Sequence, residues 1–102
     1  MLTIDTIPKK FKIANQWYTV EIVDHLEDAD FGDFDSVRAK IRLARKVYSL
    51  DEYVELSEEQ ICNSFYHELF HAFNFHMNCE CDETLAQSFA NFMREFETNA
   101  SF

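Results

Sequence analysis

The chain of 102 residues reads as an α+β domain, a small twisted antiparallel sheet of three to four strands packed against two helices. Three observations lead to that class. β-Branched and aromatic residues alternate with period two in the first half, and the apolar period becomes helical after residue 57. Strands followed by helices, at this length, leave no room for a parallel Rossmann-type unit. One hydrophobic core and one domain over 1–102 are expected, with no linker and no repeat.

The first strands come from "FKIANQWYTVEIVD", whose runs flank Asn15-Gln16 as a hairpin would. Trp17, Thr19, Glu21 and Val23 share one face, and Tyr18, Val20 and Ile22 the other. In "AKIRLAR", Ile41 and Leu43 alternate with Lys40, Arg42 and Ala44, a strand with one apolar face; "FGDFD" pairs with it across "DSVR". Ser57 with Gln60 three residues later forms a capping box, and Glu58 and Glu59 suit the positive end of the helix dipole. A helix is expected from about Glu58 to Met77, covering the sheet with Ile61, Phe65, Leu69, Ala72 and Phe73. Asp82 then caps a second helix, "ETLAQSFANFMREFE", whose apolar face is Leu85, Phe89, Phe92, Met93 and Phe96.

Composition narrows the function. With 47% hydrophobic and 16% aromatic residues the chain can fold without disulfides, and its three cysteines fit reduced thiols in a cytoplasmic protein. Cys62 is expected to be buried. The N-terminus carries no signal-peptide core, and no stretch approaches a membrane span. A net charge of −10 repels phosphate backbones and anionic lipids, so no direct nucleic-acid or membrane partner is expected. The same charge can imitate nucleic acid for a basic partner. The run Glu27, Asp28, Asp30, Asp33, Asp35 reads as a solvated loop without EF-hand spacing.

The chemistry lies in "FYHELFHAFNF", residues 65–75. Beside the apolar face runs a polar stripe of Gln60, Ser64, His67, His71, Asn74 and Asn78 that a core helix does not need. Histidines at i and i+4 can each offer an imidazole nitrogen to Zn²⁺, and "HELFH" has that HExxH spacing. Glu68 points about 100° away around the helix, which suits a general base for a zinc-bound water rather than a ligand. The extended HExxHxxGxxH pattern is closed, because Asn74 and Met77 occupy the required Gly and His positions. Glu83 is the favoured third ligand, since Ala86 and Ala90 at i+3 and i+7 let the two helices approach; Asp82 and Glu80 are competitors. His76 reads as a core or boundary histidine, and Cys79-x-Cys81 as a weak second metal signal.

"HELFH" followed by "ETLAQSFA" resembles gluzincin-type metallopeptidases, in which a Glu on the next helix completes HExxH and an Ala follows three residues later. The chain is similar to small phage- and prophage-encoded zinc peptidases and, more distantly, to minimal gluzincins and the ImmA/IrrE type. The resemblance runs from "WYTVEIVD" through "GDFDSVRAKIRLA" to the C-terminal helix. It implies a minimal zincin-like domain whose sheet edge aligns a peptide or protein substrate above the ion. It also implies His67, His71 and Glu83 as ligands and Glu68 as general base and acid. Phe70 departs from the Gly common in HExGH versions, and the segment from His71 to Glu83 is shorter than in the ImmA/IrrE type. The expected activity is zinc-dependent peptide-bond hydrolysis, with Tyr48, Tyr53 and Tyr66 as candidates to stabilise the oxyanion. The rival from another class is a non-catalytic acidic interaction protein on the same scaffold. The oligomeric state is not legible.

Overall fold

The structure is a computed structural model describing residues 1–77 and 82–100. The chain forms β1 (Lys10–Ile13), β2 (Gln16–Val23), a short 3-10 turn (Glu27–Ala29), β3 (Gly32–Asp35), β4 (Lys40–Ala44), β5 (Lys46–Ser49) and β6 (Glu52–Glu55). Two helices follow, α1 (Glu58–His76) and α2 (Glu83–Asn99). The α+β class stands.

β1 and β2 form the expected hairpin, with Lys10 opposite Thr19 and Ile13 opposite Gln16. Its turn lies at Ala14 and Asn15, one residue earlier than the sequence suggested, and both take positive φ (49° and 67°). That pair of left-handed residues matches a two-residue turn to the strand twist. Tyr18 is 1% exposed, while Trp17, Thr19 and Glu21 face water, so the two faces of β2 are as read from the alternation. β3 and β4 pair antiparallel as expected, Gly32 opposite Leu43 and Asp35 opposite Lys40. The Asp35 carboxylate accepts from the Val37 and Arg38 backbone N–H groups at 3.0 Å, closing the connection as an Asx turn. Asp33 and Asp35 are therefore strand residues, paired with Arg42 and Arg38, and not part of a solvated loop.

The sheet is not antiparallel throughout. Its strand order is β1-β2-β4-β3, and β2 runs parallel to β4, Thr19 beside Lys40 through Val23 beside Ala44. Residues 24–39 carry the chain back to the starting end of β2, so β4 runs alongside it in the same direction. Side-chain alternation has the same period in both pairings and cannot report the neighbour. A second, two-stranded sheet, β5 with β6, was not expected; Leu50 and Asp51 turn it with φ of 50° and 64°. It had no Gly to announce it, and Leu50 is an apolar residue at a turn.

The capping box of α1 is present: Ser57 Oγ accepts from the Gln60 N–H at 3.1 Å, and Gln60 Oε1 from the Ser57 N–H at 2.8 Å. In α2, Asp82 Oδ1 accepts from the Thr84 and Leu85 N–H groups. α1 lies on β3, β4 and β1, and α2 lies on α1. Ile41, Leu43, Ile61, Cys62 and Phe65 fill the space between sheet and α1, joined by Ile7 from the N-terminal segment. Leu69 packs against this cluster, but Phe73 is half exposed, a departure from the expected face.

The larger departure is in α2. Its buried residues are Ala86, Ala90 and Arg94, whereas Leu85, Phe92 and Phe96 stand 55%, 63% and 50% exposed. The two alanines let α2 sit close on α1, and α1 itself occupies the sheet, so the bulky face of α2 is turned outward. Arg94 binds Glu59 through Nε and Nη2 and donates from Nη1 to the Leu2 carbonyl at 2.9 Å and to Glu97 at 2.8 Å. It ties both helices to the N-terminal segment. Among the described residues no helix is long and apolar enough to cross a membrane.

Candidate metal centre

The site is built where α1, the start of α2 and the edge strand β3 meet. Period 3.6 puts His67 and His71 one turn apart on the side of α1 that faces α2, with ring centroids 4.9 Å apart. Glu83 is the first residue of α2, brought over by the close alanine seam. Its carboxylate lies 2.8 Å from His67 Nε2 through Oε2 and 3.0 Å from His71 Nε2 through Oε1. One donor atom from each of the three lies within 4.8 Å of the others. Asp82 is occupied in capping α2, and Glu80, Cys79 and Cys81 lie outside the described residues.

The amides around His67 show what this arrangement needs. Gln87, one turn beyond Glu83, donates from Nε2 to Asn63 Oδ1 at 2.8 Å and to Asn91 Oδ1 at 2.9 Å. Asn63 donates to the same Asn91 oxygen, so the orientation of all three amides is set. Gln87 Oε1 is then left facing His67 Nδ1 at 2.9 Å and accepts its proton. His67 Nε2 is thereby left pointing at the Glu83 carboxylate, 2.8 Å from Oε2. Two imidazole nitrogens and a carboxylate oxygen are donor types that zinc accepts, and the three lie close enough together to hold one ion.

Electrostatics agree with the geometry. Desolvation pushes Glu83 up, but the hydrogen bond from His67 and the charges of His71 and His67 outweigh it, and its carboxyl is held below the usual value. Glu68 differs. It is 7% exposed, no described residue donates to its carboxylate, and burial pushes its pKa up to about 7. His67 opposes that shift, while Glu83, Asp33 and Asp30 add to it.

These groups line one groove of about 990 Å³ between β3 and the helix pair. Ser64, His71 and Asn74, from the polar stripe of α1, are buried along it, and Phe31, Phe34 and Phe75 form its apolar part. Gly32 sits where β3 meets Glu68: a Cβ there would lie 3.2 Å from Glu68 Cγ and 3.1 Å from the Arg42 carbonyl oxygen. The strand thus approaches Glu68 as closely as a residue without a side chain allows.

His67, His71, Glu83 and Glu68, singled out in the sequence, are brought together. The three tyrosines are not. Tyr66 binds Glu97, Tyr48 and Tyr53 meet edge to face on the β5–β6 hairpin, and none lines the groove. His76 lies outside the site and hydrogen-bonds the Tyr18 hydroxyl, as a boundary histidine would. Sequence reading missed Gln87, Asn63, Asn91 and Gly32. The i+4 spacing of Gln87 from Glu83 was the one available signal for the amides. No protein-family profile, curated protein or solved structure matches this chain.

Proposed function

We propose that the chain is a zinc-dependent peptidase of the minimal gluzincin kind, with His67, His71 and Glu83 holding the ion and Glu68 acting as general base and acid. The observation that carries this reading is the convergence of two imidazole Nε2 atoms and one carboxylate on a groove walled by a sheet edge. Zinc bound there would supply a Lewis acid and an acidified water. Gln87 holds the His67 ring so that Nε2 faces Glu83, and His71 is kept in place by burial. Glu68 accepts a proton on its carboxylate from the attacking water and returns it to the leaving amine. β3 is the last strand of its sheet and offers backbone N–H and C=O groups on which an extended peptide can lie.

The test is zinc content together with cleavage. Protein purified without chelator should carry about one zinc per chain, and His67→Ala should lose it. Glu68→Gln should retain zinc and lose cleavage of a peptide library read by mass spectrometry, by roughly 10²–10⁴-fold. Zinc-loaded protein that cleaves no faster than Glu68→Gln would turn the reading to the non-catalytic scaffold.

A further inference from the structure

The apolar residues of α2 form two sets. Ala86 and Ala90 pack inward against α1, while Leu85, Phe89, Phe92 and Phe96 lie about 120° away around the helix and form a stripe on the outer side. Leu85, Phe92 and Phe96 are at least half exposed, and Phe89 is the shoulder of the stripe, packed at the edge of the core. Through Phe89 the stripe joins α1: the Phe89 ring packs tilted against Phe70 at 5.3 Å, and Phe70 against the half-exposed Phe73 at 6.4 Å. A contiguous apolar stripe, unlike apolar residues exposed singly, is the kind of surface that marks an interaction site.

We infer that the outer face of α2 is the interface of a symmetric homodimer, in which the α2 helices of two copies pack antiparallel and bury Leu85, Phe89, Phe92 and Phe96. Three observations select a second copy as the occupant. The spacing of the stripe is four, three, four, the d-a-d-a order of a heptad seam, and it reads the same in both directions about its midpoint. Antiparallel pairing therefore sets Leu85 against Phe96 and Phe89 against Phe92 twice over, the self-complementarity that a two-fold interface requires.

The charges also allow it. In that register Glu95, which flanks the stripe, comes level with Ala86 of the second copy, so no like charges meet along the seam despite the net charge of −10. The area is the third observation. Half-exposed side chains of this size present roughly 100 Å² each, so Leu85, Phe92 and Phe96 with Phe73 offer about 400 Å² of apolar surface per copy. With a polar rim that reaches the roughly 800 Å² per partner of a stable complex. The face lies away from the inward Glu83 side of α2, so dimer formation leaves the groove open.

The experiment is sedimentation velocity on the full chain from about 1 to 200 μM, with Phe92→Glu and, separately, the double variant Leu85→Gln, Phe92→Gln. The wild type should sediment as a dimer at the upper concentrations. Each variant should keep the wild-type far-ultraviolet circular dichroism and weaken association by roughly 30- to 1000-fold. The milder glutamine pair decides the matter if Phe92→Glu does not fold. A wild type that stays monomeric at 200 μM, as it would if another protein or another segment covers this face, overturns the proposal. So does a folded variant that dimerises as tightly as the wild type.

Discussion

Glu68 is placed where it should cost the metal-free protein stability, and replacing it by glutamine measures that cost. Its carboxyl is pushed from 4.5 up to about 7, chiefly by burial. At 1.36 kcal/mol per pKa unit, a rise of that size corresponds to about 3 kcal/mol. The sign follows from linkage: between the two values the unfolded chain has released the proton and the folded one has kept it. The contribution is therefore fully present below pH 4.5 and is lost as pH rises through about 7. Glutamine is nearly the same shape and does not titrate.

Urea unfolding in the presence of a chelator, followed by circular dichroism at pH 4 and pH 8, gives the comparison. Glu68→Gln and wild type should be about equally stable at pH 4. At pH 8 the variant should be the more stable by about 3 kcal/mol, which for a domain of this size is a rise in melting temperature of more than about 10 °C. The lowered carboxyls of Asp24 and Asp35 are common to both proteins and drop out of the difference. Parallel stability profiles across this range would mean that Glu68 is solvated in the groove, and the argument from its burial would fail. A gain in stability on removing an acid is the mark of a residue kept for what it does.

Two further predictions concern groups that the sequence did not reveal. Gln87→Ala frees His67 Nδ1 and should weaken zinc binding by about 10- to 100-fold in a competition titration against a chelator. The melting temperature of the metal-free protein should hardly move, since Gln87 lies on the exposed wall of the groove; unchanged zinc affinity would show that the amide row does not orient the ligand. Gly32→Ala places a methyl against Glu68 Cγ and the Arg42 carbonyl, at a cost of about 1–3 kcal/mol. Peptide cleavage should fall further than stability alone explains, and zinc content should stay at wild-type level. Full activity in this variant would show that β3 can yield without displacing Glu68.

Local signals were readable wherever the information is contained in one segment. The capping box at Ser57 and Gln60, the Asp82 cap and the alternation of Ile41 and Leu43 depend on neighbours in the chain, and each stands in the structure. The polar stripe of α1 is a helix-wheel property, and it faces Glu83 because Ala86 and Ala90 leave no bulk between the helices. By contrast, the five residues read as one apolar face of α2 divide in the structure: Phe89 and Met93 pack on the core, while Leu85, Phe92 and Phe96 are at least half exposed. Apolar residues at helical spacing mark a face that water disfavours, and the spacing says nothing of whether sheet, helix or a second chain covers it.

The sequence by itself determined the class of the fold, the two helices with their caps, and the four side chains of the candidate centre. Each follows from spacing along the chain, which backbone geometry converts directly into direction in space. Tertiary structure alone decided that β2 and β4 run parallel, that β3 closes over Glu68 through Gly32, and that Gln87, Asn63 and Asn91 fix the His67 ring. It also decided that the largest side chains of α2 point outward. These are relations between segments far apart in the chain, set by which surfaces compete for the same limited core, and no periodicity within one segment records them.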